Sequence, residues 1–528
     1  MTKIKEFVKN HKIIVTCFII LALLVASVLT LGWIGLWYAA LVGLMIGVCL
    51  TDVKKHGLPK ILIILMLLIT LLTNILPGRQ NIVDRMGVVD IFYNWFSIVL
   101  ANFGYVALYV FVIGGFYGVL NKIPSYKKLL DNTVKTVKPL GKKFIFITII
   151  LFAVIASLTG MTMQMFVFVP FVVAIILLLG YDKLVAFSAT IVSLIIGYIG
   201  GVFATFMNPN TGINTTFESF IGLDSKLANT FPKLLLLLAG VLLLIFFVNK
   251  HIKNVEAKKV KYELSDNSEL QITEVKGDYK KVKTWPLIVI MSLTFIILVL
   301  GIMPWNPLFD IKVFSDFHTW LTELSIKDFT VVPNIISKNL VAFGGWNGNG
   351  NPLVSYVYIS LLLVFITYLI TLVNKVKIND AIDYFVSGMK KALPAAATLM
   401  LAYTVLVCAY NNGFYELLIT NYGKFNYGIS SLLAIGGCIL NVDITWIILG
   451  VFSPIINLIT EEAIYASVAV LLQGIYGVFL LVGPTSLILI LGLMYFDIPY
   501  TTWLKYIWRF ILYLIVLLAL ITFLVTLM

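Results

Sequence analysis

The chain is laid out as a succession of apolar runs, each long enough or nearly long enough to cross a bilayer. They fall at 13–30, 34–50, 61–76, 96–120, 144–206, 232–248, 285–302, 353–373 and 464–482, with short polar loops between them. A helix crosses the hydrocarbon core with about 20 such residues. Only helices and closed barrels satisfy their own backbone polar groups there. The pattern therefore predicts an all-α polytopic membrane protein. Composition agrees, since 60% of the residues are hydrophobic and only 12% are charged, against about 25% charged in an ordinary soluble domain.

A formal net charge of +13 would suggest nucleic acid binding in a soluble chain. Here the basic residues gather in a few loops, above all Lys122, Lys127, Lys128, Lys135, Lys138, Lys142 and Lys143. That is the charge pattern of cytoplasmic loops. It excludes nucleic acid as a partner, places the N-terminus in the cytoplasm and makes the cell membrane the expected location. Cys17, Cys49, Cys408 and Cys438 all lie in apolar stretches and read as small buried hydrophobes. The four histidines are scattered, and no zinc, haem or Walker A spacing is present. A membrane enzyme acting on lipid-linked sugars would need acids or histidines clustered at one interface. A flippase or assembly factor would spread charges along many spans, whereas these stay in loops.

Residues 1–59 read as an N-terminal membrane hairpin extension and 60–248 as a first transport repeat. A cytoplasmic linker, 249–284, is too short and polar to form a core. Connecting spans with an outer segment occupy 285–373, and a second transport repeat occupies 374–528. Interruptions at Thr159-Gly160-Met161-Thr162 and Gly180-Tyr181-Asp182-Lys183 divide the run 144–206. They fit a re-entrant hairpin followed by a full span, and two ordinary spans fit as well. In the second repeat Ala381, Ile382, Phe385, Val386 and Met389 recur at helical spacing, which predicts an interfacial helix. Pro394 is expected to open the next span, and the last span to begin near Ile507.

Two breaks stand out. Asn208-Pro209-Asn210-Thr211-Gly212-Ile213-Asn214 follows the run 184–206, and Gly483-Pro484-Thr485-Ser486 interrupts the run 464–495. Proline lacks the backbone N–H and clashes with the preceding turn, so helices open at these points. Unwound backbone within a bilayer is tolerated only where protein buries it or where it lines a cavity. Interrupted segments in corresponding halves point to the substrate site of a carrier built from repeats. The order of landmarks supports a repeat: Gly115-Phe116-Tyr117 is echoed by Gly413-Phe414-Tyr415, and Asp182 to Asn208-Pro209 by Glu462 to Gly483-Pro484. The expected fold is thus two inverted repeats with re-entrant hairpins and broken helices. Candidate binding residues are Asn208, Asn210, Thr211 and Gly212 at the first break, and Pro484, Thr485 and Ser486 at the second. Their alternative role is to satisfy helix ends. Asp443 is the foremost intramembrane acid, as a cation ligand, a counter-charge for a cationic substrate or a proton carrier; otherwise it is an acid at a wet hairpin end. Asp182, Glu461 and Glu462 read as helix-end acids facing solvent, and Tyr117 and Tyr415 as packing aromatics.

With these residues assembled, the chain resembles the YfcC/DcuC-type carriers, the C4-dicarboxylate anaerobic carrier family of the ion transporter superfamily. The similar landmarks are Ile75-Leu76-Pro77-Gly78, the stretch from Gly114 to Lys122, Gly160-Met161-Thr162, Asn208-Pro209 with Thr211-Gly212, and Pro484-Thr485-Ser486. Ile498-Pro499-Tyr500 and Trp503-Leu504-Lys505 follow. The resemblance runs over residues 60–528. The chain departs from the pattern at Met163-Gln164, where two glutamates are typical, and at Asn441-Val442-Asp443-Ile444, where a serine-glycine-rich tip is typical. Gly474-Ile475-Tyr476-Gly477 lacks the acid of a Gly-Asp-Gly. The resemblance implies two clamshell sites near the midplane, each made of a hairpin tip and a broken helix. Helix N-termini there would favour a substrate carboxylate, and Na⁺ would bind near Asn208, Thr211 and Thr485 as a coupling ion; no other cofactor is implied. The expected activity is secondary active transport of a small carboxylate-bearing metabolite, with no enzymatic step. An amino acid comes first, by exchange of basic amino acids such as arginine and ornithine. The alternatives are a dicarboxylate coupled to Na⁺ or H⁺, and a non-transport membrane assembly protein. Expected partners are the small-molecule substrate, the lipid bilayer and, as a homodimer, a second copy of the chain.

Overall fold

Lipid supplies no hydrogen bonds, so backbone bonds must close within each segment, and the apolar runs fold as helices. The computed structural model describes residues 33–50, 57–75, 85–207, 214–223, 229–257, 279, 281–302, 305, 310–337, 352–411, 425–441 and 443–527. The first described helices are α1 (Trp33–Leu50), α2 (Gly57–Ile75) and α3 (Val88–Leu120), followed by α4 (Pro124–Val137) with proline in its first turn. Next come α5 (Lys142–Thr159), α6 (Val169–Leu178) and α7 (Lys183–Ile199). Strands β1 (Thr205–Met207) and β2 (Asn214–Thr216) pair antiparallel, with Phe206 opposite Thr215, and lead to α8 (Phe217–Ile221) and α9 (Thr230–Glu256). The connecting region holds α10 (Trp285–Ile302), α11 (Val313–Glu323), a two-residue strand pair and α12 (Pro352–Val373). The remainder is α13 (Ile378–Asn411), α14 (Tyr427–Leu440), α15 (Ile444–Ile456), α16 (Tyr465–Val482), α17 (Leu487–Phe496) and α18 (Tyr500–Leu527).

Eight helices among the described residues are long and apolar enough to span a membrane. The same order occurs twice: a hairpin, a broken helix and a long span. It is α5–α6, α7 and α9 in the first half, then α14–α15, α16–α17 and α18 in the second. Helix α6 has 10 residues and α14 has 14, short of the number needed to cross, whereas α5, with 18, is of spanning length.

Three boundaries differ from the sequence expectation. Helix α7 ends at Ile199, well before the Asn208 stretch, because Gly200 and Gly201 favour helix least after proline and other helices capture the freed carbonyls. That makes α7 nearly as long as α16, with Gly200 directly after the one and Gly483 directly after the other. Helix α13 runs through Pro394 without a separate interfacial helix, and Thr398 Oγ1 donates to the Pro394 carbonyl at 2.8 Å. Helix α18 begins at Tyr500, seven residues ahead of Ile507, where Tyr500 and Trp503 serve the end of α16. The expectations on residues 13–32, on the linker core 258–278 and on Tyr415 lie outside the described residues.

Helices α3 and α13 cross at the centre, with α12 against α3. At the lysine-rich end, Ser125 Oγ donates to Asn374 Oδ1 at 2.6 Å and Lys128 Nζ to the Val282 carbonyl at 2.8 Å. Asp182 caps α7 by accepting from the Val185 N–H at 2.8 Å, and its other oxygen meets His251 Nε2 of α9 at 2.8 Å. It is therefore a helix-end acid, as expected, but it faces a histidine. Glu461 and Glu462 are exposed beside the start of α16. At the opposite end a buried ion pair joins Glu218 of α8 to Lys233 of α9 at 2.7 Å. Asn229 Nδ2 donates both to Glu218 Oε1 and to the Ala466 carbonyl beside the start of α16.

Candidate transport site

A helix C-terminus leaves four carbonyls without intrahelical partners. At the second break, side chains take three of them in succession. Ser486 Oγ donates to the Leu480 carbonyl at 2.8 Å, Trp503 Nε1 to Leu481 at 2.8 Å, and the Tyr500 hydroxyl to Val482. Because Ser486 turns back in this way, no side chain caps the first turn of α17. Thr485 Oγ1 reaches the Ile439 carbonyl near the end of α14, at 3.4 Å. Pro484, Thr485 and Ser486 are all buried.

The first break is served from two other helices. Gln473 Nε2 of α16 donates to the carbonyls of Tyr198, Ile199 and Gly201 at 2.9, 3.3 and 3.0 Å. Ser157 Oγ of α5 donates to the Gly200 carbonyl at 3.0 Å, while the Phe203 N–H returns a bond to the Ser157 carbonyl at 3.2 Å. Each break is thus clasped to the closing turn of its own hairpin's first helix. Asn208, Asn210, Thr211 and Gly212 lie outside the described residues, between the paired strands β1 and β2.

The hairpin tips are held from α3 and α13. Helix α5 closes on Gly160 at φ 69°, a left-handed conformation that glycine takes without strain. A 3-10 turn over Met163–Val167 follows. The Tyr109 hydroxyl donates to the Met163 carbonyl at 2.9 Å and that of Tyr117 to Val167 at 2.6 Å, so Tyr117 fixes the tip as well as packing. In the second tip Asp443 is the N-cap of α15. Its Oδ1 accepts from the Thr445 N–H at 3.2 Å, and its Oδ2 accepts from the Tyr403 hydroxyl at 3.3 Å. Its own N–H donates to Asn441 Oδ1 at 2.8 Å. Tyr105, Tyr356 and Tyr476 stand within electrostatic reach of this carboxylate.

The broken helices α7 and α16 pack on one another, with the Tyr198 and Tyr476 rings 5.5 Å apart. Three buried polar atoms in this region have no hydrogen-bond partner among the described residues: the Tyr198 hydroxyl, Gln473 Oε1 and Asn441 Nδ2. Toward the lysine-rich end, a cavity of about 600 Å³ opens between α3, α6, α13 and α17. Lys122, Phe166, Lys391 and Tyr495 are among its lining residues.

The structure thus joins Thr485 to the second hairpin and places Asp443 at that hairpin's tip. Sequence reasoning overlooked Ser157, Tyr198 and Gln473. A lone glutamine in the apolar run of α16 and the Gly200-Gly201 pair were the available signals. Eight apolar helices of spanning length among the described residues define a multi-pass membrane protein. The family comparison agrees: the sequence model of the C4-dicarboxylate anaerobic carrier family (DcuC) matches residues 13–527. The protein belongs to that family. No curated protein matches the chain. Among solved structures it is similar to the Alcanivorax borkumensis YdaH transporter, at 14% identity and a TM-score of 0.35 over 89% of this chain and 98% of that one.

Proposed function

We propose that this protein is a secondary carrier for a C4-dicarboxylate, bound in the seam between the two broken helices. The observation that carries the reading is the pair of buried donors, one from each half, that have no partner among the described residues: the Tyr198 hydroxyl and Asn441 Nδ2. Native proteins satisfy such atoms internally or complete them with water, an ion or a ligand. The Tyr198 hydroxyl and the Asn441 amide are donors, and the uncapped first turn of α17 carries partial positive charge; all three suit carboxylate oxygens. The description of the family names dicarboxylates. Basic amino acid exchange finds no support in that description.

The same proposal includes coupling to Na⁺ or H⁺, membership of the YfcC-type branch, and a homodimer in the cell membrane with a cytoplasmic N-terminus. The sidedness rests on the lysine-rich end. Counterflow in proteoliposomes tests the cargo. Vesicles preloaded with succinate, aspartate, arginine or ornithine are offered the matching labelled compound, with and without Na⁺. Accumulation of succinate is expected. Accumulation of arginine or ornithine without succinate would replace the dicarboxylate with a basic amino acid.

A further inference from the structure

We infer that the side-chain amide of Gln473 occupies a cation position at the end of α7, so that the first broken helix closes around a built-in nitrogen where a mobile ion would otherwise bind. The inference rests on the reading that the broken helices form the transport site. Unwound carbonyls and the C-terminal ends of half-helices are the groups that hold coupling cations in carriers of this architecture. Here the carbonyls of Tyr198, Ile199 and Gly201 all point at one atom, Gln473 Nε2, at 2.9 to 3.3 Å. The end of a helix is also its electronegative pole.

An amide NH₂ has two hydrogens to offer. Three oxygens around it therefore form a cradle with more acceptors than the amide needs, which is the excess that a spherical charge uses. The amide cannot be reversed, because its oxygen would then face three carbonyl oxygens. Its Oε1 has no partner among the described residues although the residue is 0% exposed. The side chain is thus held for its nitrogen alone, at the expense of a buried acceptor left unsatisfied. The second break has no such cradle, since its carbonyls at Leu480, Leu481 and Val482 are divided among three separate donors. Gln473 also comes from the other repeat, so the nitrogen that fills the cradle ties α16 to α7.

Removing that nitrogen should create a cation site. The full chain is purified as wild type, Gln473→Glu and Gln473→Met, and melted in NaCl, KCl or choline chloride at equal ionic strength. Glutamate adds an oxygen to the cradle, and methionine keeps the volume while removing the donor. Both variants should melt lower than wild type in choline, and Na⁺ or K⁺ should restore them saturably, by several degrees more than either ion shifts the wild type. Variants no more responsive to Na⁺ or K⁺ than the wild type overturn the proposal, and so do variants that stay unfolded in every salt. A saturable Na⁺ response of the wild type that both substitutions abolish overturns it too, because Gln473 would then be supporting a bound ion. The readout needs no substrate, so a failed counterflow experiment and a failure of this inference are distinguishable.

Discussion

Gly114 of α3 and Gly388 of α13 meet backbone to backbone, and a Cβ built on Gly114 would fall 2.7 Å from the Gly388 carbonyl oxygen. One turn further along α3, Gly118 packs in the same way on Tyr384. Small residues at this spacing let membrane helices approach closely. The consequence lies at the hairpin tips: α3 carries Tyr109 and Tyr117 to the first, and α13 carries Tyr403 to the second. A single helix crossing therefore sets the positions of both.

Gly388→Leu should be strongly destabilising, because overpacking at a fixed contact costs about 1–3 kcal/mol or more. A lowered Tm and loss of monodisperse protein in detergent are expected. Gly104→Leu on the same α3, where a Cβ meets nothing within 4 Å, should melt like the wild type. Equal tolerance at the two positions would remove the crossing from the account.

Asp443 separates its capping role from its charge through two substitutions. Asparagine caps helices as well as aspartate does, whereas alanine loses about 0.5–2 kcal/mol. Asp443→Asn should therefore keep both Tm and counterflow, and Asp443→Ala should lower both. An Asp443→Asn protein that melts normally but carries nothing would make the charge itself functional.

The Glu218–Lys233 pair is buried on both sides, at 1% and 2% exposure. Breaking such a pair by removing one partner costs about 3–5 kcal/mol. Lys233→Met alone should lower the Tm sharply, and adding Glu218→Gln should recover part of the loss. A double variant less stable than Lys233→Met would show that Glu218 has a role apart from the pair.

Ser157 closes the first break. Ser157→Ala leaves the Gly200 carbonyl buried without its side-chain donor, at a cost of about 1–3 kcal/mol, and should slow counterflow. Ser157→Thr keeps the hydroxyl and should stay near wild type. Identical counterflow in the alanine variant and the wild type would remove the clasp from the transport cycle.

Most spans among the described residues, the second hairpin and the second break were legible in the sequence because apolar runs and Gly/Pro interruptions are local signals, whereas the first hairpin read equally well as two ordinary spans. The end of α7 at Ile199 was not legible because Asn208-Pro209 is a stronger turn signal than Gly200-Gly201. What ends α7 is a pair of captures, by Gln473 and Ser157, from distant parts of the chain. Pro394 is a sequence signal for a helix start, yet α13 continues through it, because a proline inside a helix gives up one backbone bond without having to end it. The ion pair of Lys233 with Glu218 was not legible, because the two residues show no pairing pattern in the sequence. At Asp443 the residue was found but its partner, Tyr403 on another helix, was not.

If the substrate binds in the seam between the broken helices, the half-saturating succinate concentration in counterflow depends on the seam side chains. Tyr198→Phe and Asn441→Ala would be compared with wild type and with Leu512→Ala, a residue 52% exposed on the outer face of α18. A hydrogen bond to a charged group contributes about 1.5–3 kcal/mol, so each seam variant should require roughly tenfold more succinate or beyond, while Leu512→Ala should be unchanged. Seam variants with wild-type half-saturation would contradict the account and move the site elsewhere.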